Sequence, residues 1–347
     1  MHKKLILALG SLVLALVLVG LVGELALRAY YFLRFTARGN SYIGVRMDDQ
    51  LGWYPVETYR FKGTKTDAAG RSYAADVHFC TNGFRTFGDL TTRKMRVLVL
   101  GDSVTHAFEV SNDKTYYALL TNALPIEIFA FGGTGYGNLQ EYMILDRFAD
   151  TIRPDVVLWQ CSGNDFINND YELERGSYAN NNRMRRPYLD EQGRLFYALP
   201  KGGILLREFA NRHSRFLYFL FTRLDRFLAG VLPGSEGQIA AAGEQDPGFR
   251  RAVRITGEIF RRAKSRLPNE ARVAVFMADQ GSPYYEAMQR IAADNGFCFI
   301  PDVGKRVEDA ERAGVVVRGK DKTHWSEAGQ LIAAETIAEA VQRSVLE

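Results

Sequence analysis

The sequence lacks a strong excess of charge of either sign. Its 347 residues hold 44 Lys and Arg against 40 Asp and Glu, a formal net charge of +4. So slight a surplus gives no reason to expect nucleic acid as a partner. Internal repeats and low-complexity tracts are also missing. With 47% hydrophobic and 24% charged residues, wholesale disorder and a collagen-like fibre are excluded. Cysteine is scarce: Cys80, Cys161 and Cys298 form an odd set with no C-x-x-C pair. They do not decide the redox compartment, and one disulfide between two of them stays open. Long apolar runs are lacking except for one. A mean hydropathy of −0.17 rules out a multi-spanning membrane protein, and the length allows two domains or one large α/β domain with additions.

The exception is the N-terminus. No charged residue occurs from Leu5 to Gly23. A helix over this run spans about 28 Å, close to a bilayer's hydrocarbon thickness. Lys3 and Lys4 precede it, as in an export signal, but the run exceeds a usual signal-peptide core of about 7–15 residues. No small-x-small cleavage site follows; Glu24, Leu25 and Arg28 stand there instead. The expectation is an uncleaved signal anchor, with a cleaved signal peptide as the alternative. Lys3 and Lys4 favour an inside N-terminus, whereas Arg28, Arg34 and Arg38 pull the other way. We expect the bulk of the chain outside the cytoplasm, in the periplasm of a bacterium with two membranes.

Residues 39–94 read as a loop-rich extension of short strands and turns packed on the main domain. From Met95 an alternating β/α pattern begins. Strands are expected at Arg96–Leu100, Ile126–Phe131, Asp155–Gln160, Arg272–Met277 and Phe297–Ile300. Helices are expected between them and at the end, from Ser326 to Val345, with Ser326 as N-cap and Leu331, Ala334, Ala338, Val341 and Val345 on one face. This predicts a three-layer α/β/α domain with a mainly parallel, flavodoxin-like sheet. The polar, Asn- and Arg-rich stretch 166–245 interrupts the pattern as an insertion. Its aromatic segment Arg215–Leu232 is too short between charges to span a membrane. It is expected to form an amphipathic helix on the core, with a lid or a bilayer-resting surface as alternatives.

In an open parallel sheet, ligands bind beyond the carboxyl ends of the strands. Gly101-Asp102-Ser103 follows the first strand, a glycine cluster from Gly132 to Gly137 the second, and Gly163-Asn164-Asp165 the third. Asp321-x-x-His324 precedes the last helix. The glycine cluster gives neither G-x-G-x-x-G nor a following Lys-Ser/Thr pair, so both nucleotide fingerprints fail. Ser103 alone could be a helix N-cap. Asp321 and His324 alone could touch a metal, but no second His or Cys lies near in sequence. His2, His78 and His213 stand apart and read as surface or capping residues.

The four blocks, in this order, resemble the SGNH (GDSL-type) hydrolases over about residues 95–347, the insertion excepted. The resemblance implies a serine esterase without a cofactor or metal. Ser103 would be the nucleophile, His324 the base that activates it, and Asp321 the group that orients the imidazole. The N–H groups of Ser103 and Gly135 and the amide of Asn164 would form the oxyanion hole. Asp102 and Asp165 would brace loops. His106 and Ala107 follow Thr105 where many relatives have glycine, and Ala130 stands where the second block often begins with Asn. His106 therefore shapes the pocket or fills space. The single span, Leu51-Gly52-Trp53-Tyr54-Pro55 and Asn82-Gly83-Phe84-Arg85 further resemble membrane-anchored SGNH proteins of the bacterial envelope. An acylated small molecule, glycan or lipid is the implied substrate, with hydrolysis, acyl transfer or non-catalytic binding as the possible outcomes.

Overall fold

The computed structural model describes residues 2–344 apart from 42–43, 200–209, 211–212 and 233. Part of the insertion, and Val345, lie outside the described residues. The chain opens with helix α1 (His2–Arg34), which is long and apolar enough to cross a membrane. The extension then forms two antiparallel pairs, β1 (Val45–Asp48) with β2 (Gly52–Pro55), and β3 (Arg60–Thr66) with β4 (Ser72–His78), followed by the short β5 (Thr86–Phe87).

The main domain begins with β6 (Met95–Gly101), α2 (Ser103–His106) and α3 (Tyr116–Ala123). It continues through β7 (Ile126–Gly132), α4 (Asn138–Ile152), β8 (Val156–Cys161), α5 (Gly163–Asn169) and α6 (Tyr171–Gly176). The insertion adds the hairpin β9 (Arg186–Leu189) and β10 (Leu195–Ala198), then helices α7 (Arg215–Val231) and α8 (Ser235–Ala242). The pattern resumes with α9 (Pro247–Arg266), β11 (Arg272–Met277), α10 (Tyr284–Asp294), β12 (Cys298–Phe299), α11 (Val303–Arg312) and α12 (Glu327–Ser344).

One six-stranded sheet runs β12-β11-β8-β6-β7-β5. All its pairings are parallel except β5 against β7. Side chains alternate across the sheet, and both faces are covered, so the central strands are apolar throughout. Leu98, Leu100, Phe129, Phe131 and Trp159 pack with residues of α4, α9 and α10 on one face. Val97, Val99, Ile128, Leu158 and Phe276 pack with α3, α11 and α12 on the other. The architecture is therefore a three-layer α/β/α domain.

Three local expectations change. Leu331 is 46% exposed, whereas Ala334, Ala338 and Val341 are buried as expected, joined by Ala333 and Ile337. Ser326 precedes α12, but its hydroxyl donates to the Val316 carbonyl (2.8 Å) rather than capping the helix. Helix α7 is not packed into the core: none of its residues is buried. The three cysteines are unpaired.

Gly132 marks where β7 meets α2. A Cβ there would fall 2.1 Å from the His106 backbone nitrogen. Overpacking of this kind typically costs about 1–3 kcal/mol. Gly132→Ala should therefore lower the denaturant midpoint by that equivalent, whereas Gly257→Ala, which meets nothing within 4 Å, should not lower it.

Candidate active site

Four strand ends lie side by side, with Gly101 opposite Gly132 and Met277 opposite Cys161. Beyond β6 the chain turns directly into the short α2. Asp102 is its N-cap, accepting from Val104 N (2.8 Å). The capping task therefore falls to Asp102, and Ser103 keeps its hydroxyl uncommitted. Among the described residues neither the Ser103 hydroxyl nor its N–H makes a hydrogen bond. Gln160 of β8 holds the turn from beneath, its Oε1 accepting from Asp102 N (3.2 Å), Thr105 N (3.2 Å) and Thr105 Oγ1 (2.9 Å). His106 is fully buried between Phe79 and Phe108, and its Nδ1 meets the Gly132 carbonyl at 2.6 Å. Burial lowers its pKa to about 3. It fills space as a neutral ring and takes no part at the open surface.

Asp321 and His324 sit on one tight turn. Asp321 Oδ1 accepts from Thr323 N (2.9 Å) and His324 N (3.1 Å), and Oδ2 meets His324 Nδ1 at 2.5 Å. Gly319 N closes the turn on the His324 carbonyl (2.8 Å). The β3–β4 hairpin of the extension props it from outside, through Lys320 N to Thr66 O and Ala68 N to Arg318 O (both 3.1 Å). Burial opposes ionisation of Asp321, yet the hydrogen bonds from His324 and Thr323 hold it well below the usual carboxylate range. For His324, burial works against the charged form, but the Asp321 hydrogen bond and charge outweigh it and raise the pKa above 6.5. An ionised Asp321 at Nδ1 places the ring proton there and leaves Nε2 as the acceptor. His324 is near enough to Asp102, the neighbour of Ser103, that each charge acts on the other. Among the described residues no hydrogen bond joins Ser103 to His324.

The glycine loop adjoins the Ser103 turn at its start, where Gly133 N donates to the Gly101 carbonyl (3.0 Å), and Gly135 follows two residues on. Its φ is +70°, and an added Cβ would meet Asn182 Oδ1 at 2.3 Å. The peptide carrying its N–H is the one whose carbonyl belongs to Thr134, and Trp53 Nε1 donates to that carbonyl (2.8 Å). The next carbonyl, that of Gly135, accepts from Asn182 Nδ2 (3.1 Å) and Arg186 Nη1 (3.0 Å). The Gly135 N–H itself donates to no group among the described residues. Asn164 is half-buried at the start of α5, with Nδ2 donating to Asn168 Oδ1 (3.2 Å). One amide hydrogen stays available.

Beneath these loops lies a set of buried acids. Asp165 Oδ2 accepts from Ser162 N (3.0 Å) and Asn138 Nδ2 (3.1 Å), and Glu141 Oε2 from Trp159 Nε1 (2.6 Å) and Asn138 Nδ2 (3.0 Å). Burial pushes Glu141 up to about 8 and raises Asp165, Asp102 and Asp279. Asp102 and Asp165 thus brace loops. Gln160, Asn138, Trp53, Asn182 and Arg186 were not singled out from the sequence. Of these only Trp53 lay within a recognised motif.

No family model and no curated protein sequence matches the chain. Solved structures do. The psychrotrophic esterase EstA from Pseudoalteromonas sp. aligns at 9% identity and a TM-score of 0.39, over 73% of this chain and 99% of its own. TesA aligns at 14% and 0.41, over 72% and 99%. Axe2, an acetylxylan esterase from Geobacillus stearothermophilus, aligns at 11% and 0.37, over 73% and 95%.

The electrostatics of the turn can be tested without any substrate. His324 should titrate above 6.5 in histidine NMR, and Asp321→Asn should move that titration to lower pH. The sign follows because the substitution removes the charge that favours imidazolium and leaves the burial that disfavours it.

Proposed function

We propose that the chain is a serine esterase of the SGNH type, cleaving O-acyl esters through an acyl-enzyme. The observation that carries this reading is the division of labour at the sheet edge. Asp102 caps α2, Ser103 keeps a free hydroxyl and N–H, and the charge of His324, polarised by Asp321 at 2.5 Å, acts on Asp102. Ser103 Oγ attacks the ester carbonyl while His324 Nε2 takes its proton. The tetrahedral oxyanion is met by the Ser103 and Gly135 N–H groups and the Asn164 amide. His324 returns the proton to the leaving alcohol, and water, activated the same way, releases the acid. No metal or cofactor enters these steps.

An acyltransferase using the same residues is the second reading, and one observation favours it. A cavity of about 430 Å³ lined by Tyr178, Asn181, Asn182, Arg183 and Tyr218 adjoins Gly135 through Asn182. Its amides and aromatic rings suit a sugar acceptor in place of water. We further read α1 as a retained single-pass anchor, with the catalytic domain outside the cytoplasm. Glu24 and Arg28, just past the apolar run, bond Ser214 Oγ (2.9 Å) and the His213 carbonyl (3.0 Å), contacts a cleaved segment would forfeit.

Full-length protein in detergent should be labelled by a fluorophosphonate at Ser103 and should hydrolyse p-nitrophenyl acetate. Ser103→Ala should abolish both, and equal inertness of wild type and variant would establish the non-catalytic alternative. Asn164→Ala should lower kcat by about 10²–10³-fold if its amide meets the oxyanion. The rate should fall as pH drops through the raised pKa of His324, because only the neutral ring accepts the proton. Trp53→Phe, which keeps an aromatic ring but loses the bond to Thr134, should lower kcat by about tenfold with KM unchanged.

A further inference from the structure

Helix α7 presents a stripe that nothing among the described residues covers. Leu220, Leu224, Phe227 and Val231 follow one another at intervals of four, three and four residues, which places them on a single helical face. They are 43%, 45%, 65% and 57% exposed. The face turned to the domain is different in kind. Tyr218, Phe221, Thr222, Asp225 and Ala229 line the cavity against residues 178–183, and Arg183 grips Asp225 through two bonds of 3.0 Å. The helix is therefore fixed on one side and leaves its apolar stripe outward.

Its position relative to α1 identifies what covers the stripe. Glu24 is the first charged residue after the apolar run Leu5–Gly23. Its Oε2 accepts from Ser214 Oγ and from Phe216 N, both at 2.9 Å, at the start of α7. Gly23 permits the approach, since a Cβ there would fall 2.4 Å from the Phe216 ring. Helix α7 thus begins where the apolar span ends, at the depth of the membrane–water boundary. Its charges fit that boundary. Arg215, Arg223 and Arg226 outnumber Asp225, and the Arg223 guanidinium lies 5.1 Å from the Phe219 ring. An exposed apolar face bordered by arginines is the pattern of a helix lying in the headgroup region of anionic lipid.

We propose that α7 is a second membrane contact, its Leu220–Val231 stripe set into the leaflet from which α1 emerges. The inference rests on α1 being a span, not on the esterase reading. Residues 40–41 already tie the end of α1 to β3, through Asn40 Nδ2 to the Lys62 carbonyl (3.0 Å) and Ser41 N to the Arg60 carbonyl (2.7 Å). With α7 seated as well, the domain is held in one orientation, and the cavity beside Gly135 is kept at the lipid surface.

Full-length protein carrying Cys80→Ser and Cys298→Ser, which leaves only the buried Cys161, provides the background for single-cysteine labelling. An NBD probe would be attached at Leu224→Cys, Phe227→Cys or, as control, Arg226→Cys. Each protein would be reconstituted in vesicles of phosphatidylcholine and phosphatidylglycerol. Probes at 224 and 227 should be blue-shifted and at least twofold quenched by doxyl-labelled lipid, while the probe at 226 should remain open to aqueous iodide. Equal response to iodide at all three positions would overturn the proposal. So would probes at 224 and 227 shielded from iodide yet unquenched by doxyl lipid, with the chains crosslinking in pairs, since a second copy would then cover the stripe. The labelled positions are exposed, so circular dichroism should match the parent and separate these outcomes from misfolding.

Discussion

The peptide joining Thr134 to Gly135 is the constraint on which the candidate site depends. A trans peptide is planar, with its carbonyl and N–H pointing to opposite sides. Holding the Thr134 carbonyl with the Trp53 indole therefore fixes the direction of the Gly135 N–H. The following carbonyl is gripped by Asn182 and Arg186, so the chain is fixed on both sides of a residue whose φ of +70° glycine tolerates best. Arg186 is itself buried in an ion pair with Glu174 (3.3 Å) and lies 5.1 Å from the Trp53 ring. Extension and insertion meet at this point. Neither belongs to the alternating β/α pattern, yet the alignment of the candidate oxyanion donor rests on both.

Charge is partitioned around the same edge. Asp102, Glu141, Asp165 and Asp279 are withdrawn from water, and burial raises each above its ordinary range. Asp321 alone stands half in solvent with its ionised form favoured. Asp321 is thus the carboxylate that bonds the imidazole directly in its ionised form. The acids beneath serve as hydrogen-bond acceptors that fix loops, as Asn138 does by donating to Glu141 and Asp165 together. Environments that push carboxylates apart in this way separate charge-bearing roles from structural ones.

The apolar runs that announce β6, β7, β8 and β11 were legible because both sheet faces are covered, leaving no polar alternation to confuse the reading. The strand-end motifs were legible because they are local: Asp321 and His324 meet across one turn, and Asp102 caps the residue after its neighbour. What was not legible is long-range. Trp53 reaches Thr134 across 81 residues and Gln140 reaches the Leu51 carbonyl across 89, and no periodicity encodes such pairings. Ser326 shows the converse error: the right residue type at the right place, with its hydroxyl drawn to Val316 by tertiary structure. Leu331 shows that a helical face read from spacing can be right along most of its length, as at Ala334, Ala338 and Val341, and still miss at one edge.

The insertion also joins the apolar helix α1 to the candidate site. Its helix α7 is bonded to α1 through Glu24, and the same helix holds Arg183 through Asp225. Arg183 is one residue from Asn182 and three from Arg186, the two side chains on the Gly135 carbonyl. Hydrogen bonds and the backbone between them therefore connect the end of the apolar run to the Gly135 carbonyl. A domain tethered by its N-terminus alone would need none of these links. Their presence makes α1 part of the framework around the candidate site.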